Sequence, residues 1–130
     1  MELQTTFQTF RFGDYKIDAF VPEPSALQQA YEKQLQTDPT TPTPYWAQVW
    51  PSAFALCEFI ALQPDWLQNK KVLELAAGVG LPSLLAAQFA TEVVCSDHVP
   101  AAVELMQQSI EKNQRTNIKA TVIDWNNITD

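Results

Sequence analysis

Histidine, cysteine and glycine are scarce in this chain of 130 residues, and each scarcity removes a class of function. One histidine, His98, cannot build a metal site by itself, and no CxxC pair stands by to help it. The two cysteines sit in apolar surroundings, Cys57 in a helical pattern and Cys95 in a strand pattern. They read as small buried hydrophobes of a reducing compartment, not as a disulfide framework. No stretch reaches the roughly 20 uninterrupted apolar residues of a membrane span, and the N-terminus lacks a basic segment followed by an apolar core. A soluble, cytoplasmic protein is therefore expected, with no metal and no membrane partner. Positive charge is also short. Eight basic against fifteen acidic side chains leave a formal charge of −7, which repels phosphate backbones, so nucleic acid is not an expected partner.

What is present suits a compact fold, since 46% of the residues are apolar. The first 21 residues alternate apolar and polar positions around Gly13-Asp14, a pair able to take the positive φ angles of a tight turn, and this predicts a β-hairpin. Ser25 to Gln36 places Leu27, Ala30, Tyr31 and Leu35 on one helical face. Thr37 to Pro44 holds three prolines and four threonines, which cannot continue a helix and predict an extended linker. Pro51 suits the first turn of a helix burying Phe54, Cys57 and Ile60, and Pro64 ends it. Two regions result: residues 1–44 with hairpin, helix and linker, and residues 45–130.

From Lys71 the pattern alternates: strand Val72 to Ala77, helix Pro82 to Ala90, strand Glu92 to Ser96, helix Pro100 to Asn113, strand Ile118 to Asp124. Val, Ile and Leu runs that suit burial on both faces argue for a parallel sheet covered by helices. Right-handed crossovers give the strand order 3-2-1 of a Rossmann-like α/β fold.

Ligands of open parallel sheets lie beyond the carboxyl ends of the strands. There this chain places Glu74, the loop Ala76, Ala77, Gly78 and Gly80, then Asp97, and finally Asp124 with Trp125. A dinucleotide fold wants GxGxxG and free amides for pyrophosphate. Here Gly78-Val-Gly80-Leu-Pro-Ser83 ends in serine, Pro82 removes a donor, and Glu74 would set a negative charge beside the diphosphate. A nicotinamide or flavin dinucleotide thus fits poorly. A ligand with an amine, a ribose diol and an adenine but no phosphate fits better. Asp97 follows Glu74 by about the interval at which nucleotide folds place the ribose acid, Asp124 suits an exocyclic amine, and Trp125 offers a flat face for the base. S-adenosyl-L-methionine has these parts. Plain structural readings stand beside these. The glycine loop can be a bare turn, Asp97 can cap the next helix, and Trp50, Asp124 and Trp125 suit packing as well as a cofactor wall. His98 reads as a solvated loop residue.

Trp50-Pro-Ser-Ala53, Val-Leu-Glu-Leu-Ala-Ala-Gly-Val-Gly-Leu-Pro (Val72 to Pro82), Cys95-Ser-Asp97 and Ile123-Asp-Trp125 resemble the seven-β-strand class I methyltransferases. The likeness is to the protein-lysine branch that includes the electron-transfer-flavoprotein β-subunit lysine methyltransferases, and Pro44-Tyr-Trp-Ala47 adds to it. It runs from about Pro44 to Asn126. The resemblance implies that Glu74, Ala76, Ala77 and Gly78 hold the methionine moiety, Asp97 the ribose, and Asp124 and Trp125 the adenine, with Trp50 lining the same pocket. Ala76 replaces a glycine common in that family, and Ser109 an asparagine, with Asn113 matching the next one.

The resemblance further implies a protein substrate and a sheet ordered 3-2-1-4-5-7-6, of which only the first three strands are present here. Residues 45–130 would be the cofactor-binding half, and no catalytic residue carries over. The free edge at Val72, Leu73 and Leu75 would then pair with a missing C-terminal half or with another copy. A non-catalytic adenosylmethionine-binding module is the alternative of a different class.

Overall fold

A computed structural model describes residues 3–128. Strands β1 (Thr5–Phe12) and β2 (Tyr15–Pro22) form an antiparallel hairpin that leads into helix α1 (Pro24–Thr37). Helix α2 (Pro51–Leu62) follows, then β3 (Lys71–Glu74), α3 (Leu81–Ala86), β4 (Glu92–Asp97), α4 (Pro100–Asn113) and β5 (Ile118–Val122). Short 3-10 turns at Tyr45–Ala47 and Pro64–Trp66 flank α2. No described helix is long and apolar enough to cross a membrane.

The three later strands are parallel in the order β5-β4-β3, as a Rossmann-like α/β sheet requires. Val72 pairs with Val93 and Val93 with Ile118, while Glu74 pairs with Cys95 and Cys95 with Ala120. Because side chains alternate along a strand, these residues share one face, and α3 and α4 pack on it. The opposite face carries Lys71, Leu73, Val94 and Lys119, and Leu73 is 57% exposed. Cover on both faces was expected, but the helices lie on one side only. Two successive right-handed crossovers in the same direction put both connecting helices on the same face.

The hairpin joins the same core. Phe12, Ile17 and Ala19 are buried with Leu81, Leu85, Met106 and Ile110. Two polar residues of α4 dock it. Ser109 accepts the Phe20 N–H at 2.9 Å, and Asn113 donates from Nδ2 to the Asp18 carbonyl at 2.6 Å. At the turn, only Gly13 takes a positive φ (59°), so Asp14 does not share the left-handed conformation expected of the pair. Phe54 differs too. It stays at the surface against Phe10 and Phe12, while Cys57 and Ile60 point inward as expected.

Helix α4 begins at Pro100 and ends at Asn113, as its proline start and apolar spacing predict. The neighbouring elements are shorter than expected. β3 stops at Glu74 because Ala76 turns into the left-handed region at φ 54°. α3 runs only to Ala86, and β5 ends at Val122, two residues before Asp124.

Candidate active site at the carboxyl edge of the sheet

A cleft of about 680 Å³ opens beyond the carboxyl ends of β3 and β4. One wall is the loop after β3, with Glu74, Ala76, Ala77 and Gly78. A second is the turn after β4, with Asp97 and His98, and Trp125 stands beyond β5. The third is the segment before α2, from Thr41 to Trp50, joined by Gln34 of α1. Trp50, Glu74, Ala76, Ala77, Gly78, Asp97 and Trp125 are thus brought together as read from the sequence.

Gly80 and Asp124 do not line the cleft. Gly80 has φ 85°, and a Cβ there would lie 3.0 Å from the Met106 side chain, so its bareness serves the contact between α3 and α4. Asp124 turns on its own backbone, accepting the Asn126 N–H at 2.9 Å. Gly78 differs from Gly80. Its φ is 59° and a Cβ would meet the Trp46 carbonyl oxygen at 2.8 Å, so only glycine lets the loop and the Tyr45–Ala47 turn close together.

Three of the loop's amides are already engaged. The Ala77 N–H donates to the Ser96 carbonyl (2.8 Å), Gly78 N–H to Asp97 Oδ2 (3.0 Å) and Gly80 N–H to the Ala77 carbonyl (2.9 Å). A pyrophosphate would have to compete for these three amides and would lie beside two carboxylates, so the arrangement suits a dinucleotide poorly. Asp97 is 4% exposed, and its other oxygen accepts the Val99 N–H at 3.0 Å. It does not cap α4, whose N-cap is Val99. Each of its oxygens keeps acceptor capacity, because a carboxylate offers about four lone-pair sites.

Glu74 is held from below by Ser83, which donates both its N–H (3.1 Å) and its hydroxyl (2.5 Å) to Oε1. The carboxylate thereby satisfies a first-turn amide of α3 that has no intrahelical partner. Burial pushes the Glu74 carboxyl above the usual glutamate range, and the two bonds from Ser83 only partly offset this. Burial, with the Glu74 charge adding, pushes the Cys57 and Cys95 thiols up to about 12, so neither is a thiolate nucleophile. Among the described residues no group of His, Cys, Asp or Glu is placed to hold a metal ion.

Sequence reasoning missed Ser83, the Trp46 carbonyl and the wall at Thr41 to Pro44. Ser83 had a signal, as a small polar residue in the first turn after the glycines. A backbone carbonyl has none.

Comparison with known proteins fits this geometry. The model of the family described as lysine methyltransferase matches residues 30–130. The chain belongs to that family. It is 34% identical over 83 residues to the human histone-arginine methyltransferase METTL23, covering 62% of this chain and 44% of that protein. To the calmodulin-lysine N-methyltransferase of Arabidopsis thaliana it is 40% identical over 83 residues, covering 59% and 27%. The chain thus spans less than half the length of these relatives. Among solved structures, the 16S rRNA N2 G1207 methyltransferase of T. Thermophilus, in complex with AdoMet and guanosine, superposes with a TM-score of 0.63 at 21% identity. The match covers 93% of this chain and 28% of that one, and at this identity it supports the fold alone.

Two outcomes follow for the loop. Glu74 is protonated more readily folded than unfolded, so its contribution to stability is full below the unfolded carboxyl pKa of about 4.3 and is lost as pH rises through the higher folded value. Glu74→Gln should remove this decline. Urea unfolding of both proteins from pH 4 to 8 should show curves that diverge with pH in favour of the variant; parallel curves would refute it. Ala76→Gly should stabilise the chain by about 0.5 to 1 kcal/mol, since a Cβ in the left-handed region costs more than glycine's extra unfolded entropy. An unchanged or lower unfolding midpoint would show that Ala76 is not strained.

Proposed function

We propose that this chain is the cofactor-binding half of an S-adenosylmethionine-dependent methyltransferase whose acceptor is a protein lysine. The observation that carries this reading is the convergence of two buried or half-buried carboxylates, Glu74 and Asp97, on a glycine loop whose Ala77, Gly78 and Gly80 amides are taken up within the protein. A cationic, phosphate-free nucleoside matches such a rim. The family match and the protein-modifying relatives support the acceptor class.

In this reading residues 45–130 hold the cofactor and residues 1–44 form an N-terminal extension of hairpin, helix and Pro/Thr linker. Asp97 accepts the ribose hydroxyls with the lone pairs its backbone partners leave over. Glu74, with Ala76, Ala77 and Gly78, faces the methionine amine. Trp50 and the 58%-exposed Trp125 offer aromatic faces along the cleft, Trp125 to adenine. Gly80 and Asp124 act by shaping α3 and the turn after β5. When bound, the cofactor supplies an electrophilic sulfonium methyl, which a neutral amine takes in line as the carbon–sulfur bond breaks. The protein's share is positioning. Two free, buried thiols support a cytoplasmic location.

The edge of β3 away from β4 has no strand beside it among the described residues, and Leu73 and Leu75 lie exposed there. We assign this edge to pairing with further chain of the same domain or with a second copy. Light scattering behind size exclusion should show concentration-dependent association that Leu73→Lys reduces; a monomer at every concentration would argue against an adhesive edge.

Calorimetric titration with S-adenosylhomocysteine tests the central reading. Binding is expected, and Asp97→Ala should weaken it by about 1 to 3 kcal/mol through lost charge-assisted hydrogen bonds. Equal affinity in the variant would remove the ribose assignment, and no binding by the unaltered chain would remove the cofactor.

A further inference from the structure

Two exposed aromatic rings stand together at one end of the cleft. Tyr45 is 65% exposed and Trp50 42%, and the backbone of Tyr45 and the indole of Trp50 are tied together. The Tyr45 carbonyl accepts the Trp50 indole N–H at 2.9 Å and the Gln48 N–H at 3.4 Å, while its own N–H donates to the Thr43 carbonyl at 2.8 Å. The ring centroids are 6.0 Å apart with planes 40° from parallel, so the pair forms an open angle. With its indole N–H engaged, Trp50 lines the cleft without a free side-chain donor. Large aromatic surface left in water is unfavourable.

The location of the pair is set by its neighbour. Trp46 places its carbonyl against Gly78, so the turn that carries Tyr45, with Trp50 bonded to it, lies against the glycine loop, whereas Trp125 lies beyond β5. On the methyltransferase reading, the glycine loop is the methionine end of the cleft and Trp125 the adenine end. The aromatic pair therefore borders the end at which the methyl is presented. A lysine side chain reaching that point carries an ammonium at neutral pH. Aromatic faces attract such a cation and pack its apolar stem.

We infer that Tyr45 and Trp50 form the wall that receives the cationic side chain of the methyl acceptor, with Tyr45 as a specificity-determining residue. The inference rests on the methyltransferase reading. The ammonium gives its proton to water at the open mouth of the cleft before its nitrogen can act as a nucleophile. The wall acts earlier, in selecting and aligning the side chain.

The test uses the chain saturated with S-adenosylhomocysteine and two probes, Nα-acetyl-Nε-trimethyllysine methylamide and its neutral isostere with carbon in place of nitrogen. Binding is followed by the NMR signals of the aromatic protons. The cation should bind about three- to ten-fold more tightly than the isostere in the unaltered chain and in Tyr45→Phe, with this preference reduced in Tyr45→Leu, which keeps only Trp50. S-adenosylhomocysteine affinity should stay within about two-fold in all three proteins. Equal binding of the two probes to the unaltered chain, or a preference undiminished in Tyr45→Leu, overturns the inference. So does a loss of about ten-fold or more in S-adenosylhomocysteine affinity in Tyr45→Leu, which would make Tyr45 a nucleoside wall. An unaltered chain that binds no S-adenosylhomocysteine instead overturns the underlying methyltransferase reading, and the inference with it.

Discussion

The tie between the glycine loop and the end of β4 determines the shape of the cleft. Ala77 and Gly78 each donate a backbone N–H to β4, one to the Ser96 carbonyl and one to the Asp97 carboxylate. Ser96 returns the contact, its hydroxyl donating to the Glu74 carbonyl at 2.8 Å. These bonds extend the pairing of β3 with β4 past the point where regular strand ends. They fix the loop although it holds three residues in the left-handed region, one of them an alanine. With the loop fixed, Gly78 meets the Trp46 carbonyl and the segment before α2 is positioned in turn. Asp97 therefore shapes the site before any ligand arrives, and a group with two such duties has few replacements.

The sequence made the order of elements readable because prolines and apolar spacing mark them. Pro51 and Pro100 sit at helix starts, and the parallel topology follows from alternating strand and helix. Element ends were harder to read. Leu75 and Ala76 continue the apolar run of β3, and nothing local announces that Ala76 turns to a positive φ; the bonds to β4 impose it. The two loop glycines looked equivalent in sequence. Their duties differ because Gly78 faces a backbone carbonyl and Gly80 a methionine side chain from α4, and both contacts are made by residues far along the chain. The end of β5 was hard to read for a related reason: the strand stops two residues before Asp124, whose carboxylate closes a turn of its own. Ser109 and Asn113, of little meaning as motif residues, proved to dock the hairpin onto α4.

Electrostatics ties the interior to the cleft. Glu74 carries a carboxylate into a half-buried place beside α3, where its charge also disfavours ionisation of two neighbouring thiols. Such an arrangement is unfavourable for the empty protein. A cation held above Glu74 would relieve it, since opposite charge offsets the desolvation that raises the carboxyl. The same group therefore weakens the fold slightly and strengthens the grip on a positively charged ligand, and both effects grow with burial.

One-sided cover of the sheet bears on the same question. α3 and α4 shield the face carrying Val72, Val93 and Ile118, whereas neither of them covers the face with Leu73 and Val94 among the described residues. The cleft lies at the carboxyl edge, where the covered and uncovered faces meet, so one side of the ligand space is built and the other is bounded by the segment before α2. That segment has little regular structure and owes its position to Gly78 and to the Tyr45 carbonyl. Rigidity at the rim is thus supplied by a few backbone contacts around a glycine. A bulkier residue at position 78 would displace the Trp46 carbonyl and the aromatic pair flanking it, disturbing both ends of the proposed reaction from a single site.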